Sequence, residues 1–145
     1  MKLRYLVSAC LAGERCRYDG SSCSHKRIME MVQGGEAIAL CPEVACGLPV
    51  PRERCEIVPA ADGSKRVLTE SGADVTLQFM RGAAKALDLA LKNGIKSAIL
   101  KSLSPSCGFG KIYDGSFTGS LVEGRGITAE LLRVHGIRIY TEQEV

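Results

Sequence analysis

Three short β-prone runs, each reaching a cysteine at its end or a few residues beyond, constrain this chain more than any other feature. Lys2 to Leu11 carries Leu3, Tyr5, Leu6, Val7 and Ala9 around Cys10; Ala37-Ile38-Ala39-Leu40 runs straight into Cys41; Ser97 to Ser102 is followed by Cys107. Brief apolar runs bounded by turn formers are what strands buried on both faces look like, as they are in a parallel sheet. Between the runs the period changes to a helical one. A helix through Ile28, Met31 and Val32 stops at Gly34-Gly35, with Ser21, Ser22 and Ser24 available to cap its start. Asp74 is placed to cap a longer helix in which Val75, Phe79, Ala83, Ala86, Leu87, Ala90 and Leu91 recur at helical spacing up to Gly94. Thr128 opens a third helix through Leu131, Leu132 and Val134 to Gly136, and Ile137 to Tyr140 forms a last strand.

Strands alternating with helices predict an α/β fold: a single domain over residues 1–145, with a mostly parallel sheet and flanking helices in a Rossmann-like, three-layer arrangement. Gly47 to Asp62, with prolines, charges and little periodicity, reads as an excursion of loop, and residues 65 to 69 as a short strand. Gly108 to Gly126 is rich in glycine with β-prone pieces, and its Tyr113-Asp114-Gly115 echoes Tyr18-Asp19-Gly20; both triplets read as Asp-Gly turns.

Composition excludes several classes of function. The formal charge of +3 is slight and dispersed, so charge gives no reason to expect nucleic acid. The first apolar stretch, Tyr5 to Leu11, is short and soon meets Glu14, Arg15 and Arg17, which predicts neither an export signal nor a membrane span and points to the cytoplasm. In that reducing setting seven cysteines, an odd number, point to metal or thiol chemistry rather than a disulfide scaffold.

Ligands of parallel α/β sheets bind outside the carboxyl ends of the strands, where the strand-to-helix loops converge. Cys10, Cys41 and Cys107 are all expected at that end. No C-x-x-C pair accompanies them, and His25 and His135 read as solvated helix residues. Three thiolates leave one position open on a tetrahedral metal or a cubane cluster, as a catalyst needs; Cys16 as a fourth would close the site and make it structural. Glu43 lies two residues from Cys41 and Ser104 three from Cys107, so each is an acid/base candidate; their plainer readings are a helix cap and a turn hydroxyl. Around Cys107, Pro105 holds Ser104 extended, while Gly108 and Gly110 allow the backbone a close approach.

Taken together, Ser8-Ala9-Cys10-Leu11, Cys16-Arg17-Tyr18-Asp19-Gly20, Cys41-Pro42-Glu43-Val44, Gly47-Leu48-Pro49-Val50-Pro51-Arg52 and Ser104-Pro105-Ser106-Cys107-Gly108 resemble the bacterial thiouracil desulfidase family. The resemblance spans essentially the whole chain, including Tyr113-Asp114-Gly115 and Gly124 to Leu132. It implies a [4Fe-4S] cluster held by Cys10, Cys41 and Cys107, with one iron left for the sulfur of a thiolated nucleobase and acting as a Lewis acid without redox change. It further implies Glu43 and Ser104 as the catalytic pair, with Ser106 the alternative to Ser104. Cys46 and Cys55 depart from the family's pattern and stand as alternative ligands, sulfur acceptors or incidental small side chains. Arg15, Arg17, Arg52 and Lys101 are unranked candidates for orienting substrate. Two other readings stay open: sulfur transfer through a persulfide on Cys16 or Cys46, and a non-catalytic metal protein closed by Cys10, Cys16, Cys41 and Cys107.

Overall fold

The apolar runs do become the strands of one parallel sheet. The computed structural model describes residues 3–145. Strands β1 (Tyr5–Ser8), β2 (Ala37–Leu40), β5 (Ser97–Leu100) and β8 (Arg138–Thr141) form it in the order β2-β1-β5-β8, every pair parallel. Leu6 and Val7 are successive residues of β1, so they point to opposite faces, and each anchors a different core. On one face Leu6, Ala98 and Leu100 pack with Ala86 and Ala90 of α3 (Thr76–Lys92) and Ala129 and Leu132 of α4 (Ile127–Val134). On the other, Val7 and Ile99 pack with Ile28 and Met31 of α1 (Lys26–Gln33). The result is the three-layer α/β arrangement that the alternation predicts.

β2 extends the sheet on one side of β1 and β5 on the other, so the winding reverses between β1 and β5. A crevice opens at such a switch point outside the carboxyl ends of the strands. Each of the three cysteine loops emerges at that end. Cys10 lies beyond β1, in a single 3-10 turn, Ala9–Ala12, rather than at the strand's last position. Cys41 joins β2 to the four-residue helix α2 (Pro42–Ala45), with Pro42 at its start, where a missing N–H costs nothing. Cys107 lies beyond β5, in the loop that leads to a hairpin of β6 (Phe109–Tyr113) and β7 (Leu121–Arg125).

The supposed loop from Gly47 to Asp62 needs correction. Cys55–Pro59 is a strand, β3, paired antiparallel with β4 (Lys65–Thr69). Glu56 and Pro59 hid it, because a charge and a proline read against strand formation. Tertiary structure settles both: Glu56 is buried, accepting the N–H groups of Gly115 and Phe117 through Oε1, and Pro59 ends the strand. The hairpin buries Ile57 and Val67 against Phe79 of α3 and Ile112 of β6.

Smaller departures concern caps and edges. His25, not a serine, sits at the N-cap of α1, where its Nδ1 accepts the N–H of Ile28 at 3.4 Å, so it is not merely a solvated helix residue. Asp74 lies one residue outside the cap position of α3 yet accepts from both Thr76 N and Thr76 Oγ1. Leu91 leaves the helical stripe and is exposed. The repeated triplets are turns as expected: Asp19 and Asp114 each accept the backbone N–H and hydroxyl of the serine two residues on.

Candidate active site

Pro42 and Glu43 open α2, and that short helix lies directly on α3. The contact is made at Gly82, where a side chain would run into the Pro42 carbonyl. A glycine inside a 17-residue helix weakens it, so its presence here reflects the close approach of the two backbones. It sets the height of Cys41 and Glu43 above the sheet.

The Cys107 loop is held as tightly. Ser104 Oγ accepts the N–H groups of Ser106 at 3.1 Å and Cys107 at 3.0 Å, closing a hydroxyl-capped turn. The first amides of α4 donate to the same loop: Ile127 N to Pro105 O and Thr128 N to Ser106 O. Ser106 is fully buried with its hydroxyl on Thr128 at 2.8 Å. Of the two serines left open by the sequence, Ser104 therefore lines the cavity and Ser106 is part of the packing. Gly126 permits the docking, since a Cβ there would strike the Ser106 carbonyl and the Cys107 amide. Leu103, with φ of 67°, takes a left-handed turn that only glycine adopts freely.

Between these loops lies a cavity of about 160 Å³, lined by Cys16, Cys41, Glu43, Arg52, Lys101 and Ser104 among others. Tyr18 and Tyr113, from the two echoing turns, and Cys55, from the unforeseen β3, also line it. Glu43 is 16% exposed and its partner Arg52 only 7%. Arg52 donates Nε to Glu43 Oε2 at 3.1 Å and lies 3.0 Å from the same oxygen through Nη2. Its Nη2 also bonds the Cys16 carbonyl at 2.9 Å and Nη1 the Pro49 carbonyl at 3.2 Å. Both contacts to Glu43 fall on Oε2. Oε1 has no hydrogen bond among the described residues, and Glu43 lines the cavity. Burial pushes the Glu43 carboxyl above the usual range, against the pull of Arg52 and Arg17.

The thiols are free. Burial pushes Cys107 up to about 12. The Cys10 thiol beside Cys16, and burial, push Cys16 to about 11, while Cys16 and burial push Cys41 upward. The Cys41 thiol donates to the Cys16 carbonyl at 3.9 Å, and Cys10, Cys16 and Cys41 belong to one apolar cluster. Cys10, Cys16 and Cys107 are buried and Cys41 half-buried, in apolar surroundings. Among the described residues, no three His, Cys, Asp or Glu side chains converge on a single ion. A cubane makes a different demand: each cysteine binds a separate iron, so the sulfurs stand apart, and soft thiolates in a dry pocket suit it. Cys10, Cys41 and Cys107 come from three loops at one end of the sheet and are of the donor type a cubane takes; Cys41 lines the cavity, whereas Cys10 and Cys107 are buried and do not.

A family model described as 2-thiouracil desulfurase matches residues 5–144. The chain belongs to the 2-thiouracil desulfurase family. An uncharacterized protein of Bacillus subtilis (strain 168), YbbK, is 42% identical over 145 residues, covering 97% of this chain and 96% of its own length. A solved structure, the [4Fe-4S]-dependent thiouracil desulfidase TudS, is similar at 46% identity and a TM-score of 0.90, over 99% of this chain and 93% of that one.

Against that family background the remaining candidates separate. Cys46 lies outside the cavity lining, with its thiol donating to Glu43 O at 3.0 Å, whereas Cys55 lines it, raised to about 11 chiefly by burial. Of the four cations left unranked, Arg15 is exposed and Arg17 packs over Tyr18 at 5.7 Å. Lys101 pairs with Glu142 at 3.5 Å, and Arg52 carries the buried ion pair. Neither cationic partner is visible in the spacing of the chain. Arg52 is separated from Glu43 by a proline-containing turn, and Glu142 from Lys101 by a helix and three strands.

Proposed function

We propose that the chain converts thiouracil to uracil and sulfide by hydrolysis without net oxidation. A water oxygen forms a bond to the thiocarbonyl carbon, the C–S bond breaks, and the sulfur leaves as hydrosulfide with the electron pair of that bond. Cys10, Cys41 and Cys107 would hold a [4Fe-4S] cluster, which would supply a Lewis-acidic iron able to polarise the C–S bond. Glu43 accepts the proton of the attacking water at Oε1; burial raises its affinity for that proton. Ser104, whose oxygen already accepts two N–H groups, keeps its hydroxyl proton free to relay one toward the ring or the departing sulfur, recovering a proton from water as it gives its own. The site suits a free thiolated nucleobase and gives no reason to invoke nucleic acid. Residues 1–145 act as one desulfidase-like domain in the cytoplasm, where seven free cysteines stay reduced. No helix among the described residues is long and apolar enough to cross a membrane.

What supports this reading most is a half-buried Glu43 with one unbonded oxygen, lining a cavity at the end of the sheet where the three cysteine loops emerge. The test is iron and acid-labile sulfide per chain after anaerobic reconstitution, followed by sulfide release from thiouracil. About four irons with turnover are expected, and Glu43→Gln should keep the irons and lose the turnover. Iron-loaded protein that releases no sulfide overturns the reaction; full turnover in Glu43→Gln overturns the role of that residue.

A further inference from the structure

Arg52 does more than offset the charge of Glu43, because its contacts are unusually complete. It is 7% exposed and donates in three directions, to Glu43 Oε2 and to the carbonyls of Cys16 and Pro49. The two carbonyls belong to the loop that follows β1 and to the segment that follows α2, so the guanidinium is fixed from outside the carboxylate it holds. Its amide is fixed as well, donating to Tyr18 O at 2.7 Å.

We infer that Arg52 is a positioning residue for the desulfuration reaction: it occupies Oε2 of Glu43 from a frame anchored on two backbone carbonyls, and so leaves Oε1 alone aimed into the cavity. The inference rests on the proposed reaction and deepens it by dividing the carboxylate into a held oxygen and a working one. A free carboxylate in a cavity swings about its last side-chain bond and presents either oxygen; one charge-assisted fork on Oε2 stops that rotation. Only a planar guanidinium does this. Lysine supplies a comparable charge as a point, and cannot reach a carboxylate and two carbonyls in fixed directions at once.

The experiment uses the cluster-loaded protein with Arg52→Ala and Arg52→Lys. Both are expected to keep the wild-type iron content, because the side-chain hydrogen bonds of Arg52 go to Glu43, Cys16 O and Pro49 O and to none of the three proposed ligands. In Arg52→Ala kcat should fall on the order of 10²-fold, as for a reacting group displaced by about 1 Å, with KM changed far less. Arg52→Lys should stay close to Arg52→Ala, while guanidinium added below denaturing concentrations restores part of the lost kcat in Arg52→Ala. Full kcat in either variant overturns the inference.

A second readout needs no turnover. The infrared difference between wild type and Glu43→Gln isolates the Glu43 carboxylate stretches, whose splitting reports a bond to one oxygen. That splitting should change in both Arg52 variants; unchanged bands overturn the inference. If iron-loaded wild type releases no sulfide from thiouracil, the reaction fails while the infrared result still decides what Arg52 does.

Discussion

Gly82→Ala is the sharpest test of how the site is held, because two effects of the same methyl group oppose each other. In an ordinary helix interior, replacing glycine by alanine stabilises by about 1 kcal/mol. Here the new Cβ would lie 2.8 Å from the carbonyl carbon of Pro42 and 3.2 Å from its Cβ, and closer still to the carbonyl oxygen. Carbon atoms in contact prefer about 3.5–4.0 Å, so α2 must move off α3 by roughly 1 Å. Overpacking of this kind costs about 1–3 kcal/mol. The net change is therefore between nothing and about 2 kcal/mol of destabilisation, a fall in Tm of several degrees at most for a chain of this size. The effect on activity should be far larger. Pro42 stands between Cys41 and Glu43, and the same shift of about 1 Å carries both, which is worth on the order of 10²-fold in rate. Thermal unfolding by circular dichroism and sulfide release by the reconstituted protein separate the two effects. A raised Tm with full turnover would falsify the argument that this contact sets the height of the site.

Other outcomes follow from the same geometry. Cys16→Ala should retain about four irons per chain, because Cys16 is not among the three proposed ligands; loss of iron would favour the closed four-cysteine site. Gly126→Ala should weaken iron retention, since its Cβ would strike the backbone between Ser106 and Cys107, and iron content after gel filtration checks it. Glu142→Ala removes the acceptor for both the N–H and hydroxyl of Ser102, at 2.8 and 2.7 Å, and should cost about 1–3 kcal/mol by urea unfolding; an unchanged midpoint would refute it. The Thr76 hydroxyl and amide, with Arg66, hold the Asp74 carboxylate down at about 2. A depressed folded value gives stability that is present above the unfolded value of about 3.9 and lost as pH falls toward 2. The Tm difference between wild type and Asp74→Asn should therefore be constant near neutrality and shrink across that acid window.

The strands that matter most to the site were legible because burial on both faces of a parallel sheet leaves continuous apolar runs. Ala37 to Leu40 is β2 to the residue, and the helical stripe ending at Gly94 became α3. The cysteines could be placed at one end of the sheet for the same reason: a run that stops marks a strand end, and parallel strands stop on one side. Of the antiparallel strands, β4 was legible at residues 65 to 69 and β3 was not. β3 carries a buried glutamate whose partners, the amides of Gly115 and Phe117, lie about sixty positions away, so local chemistry argued against it.

The layer architecture and the cluster of thiols at one end of the sheet follow from periodicities that each residue shares with its near neighbours. How those groups can act depends on the assembled fold. It separated Ser104 in the cavity from Ser106 in the packing, Cys55 in the lining from Cys46 outside it, and Arg52 from three other cations. It also gave Glu43 one held oxygen and one free one. Those distinctions depend on where separate loops meet, on close approaches at Gly82 and Gly126, and on which side chain reaches a buried partner first. Hydrophobic spacing along a chain carries none of that, because it reports which face of an element is buried and not what the element is buried against.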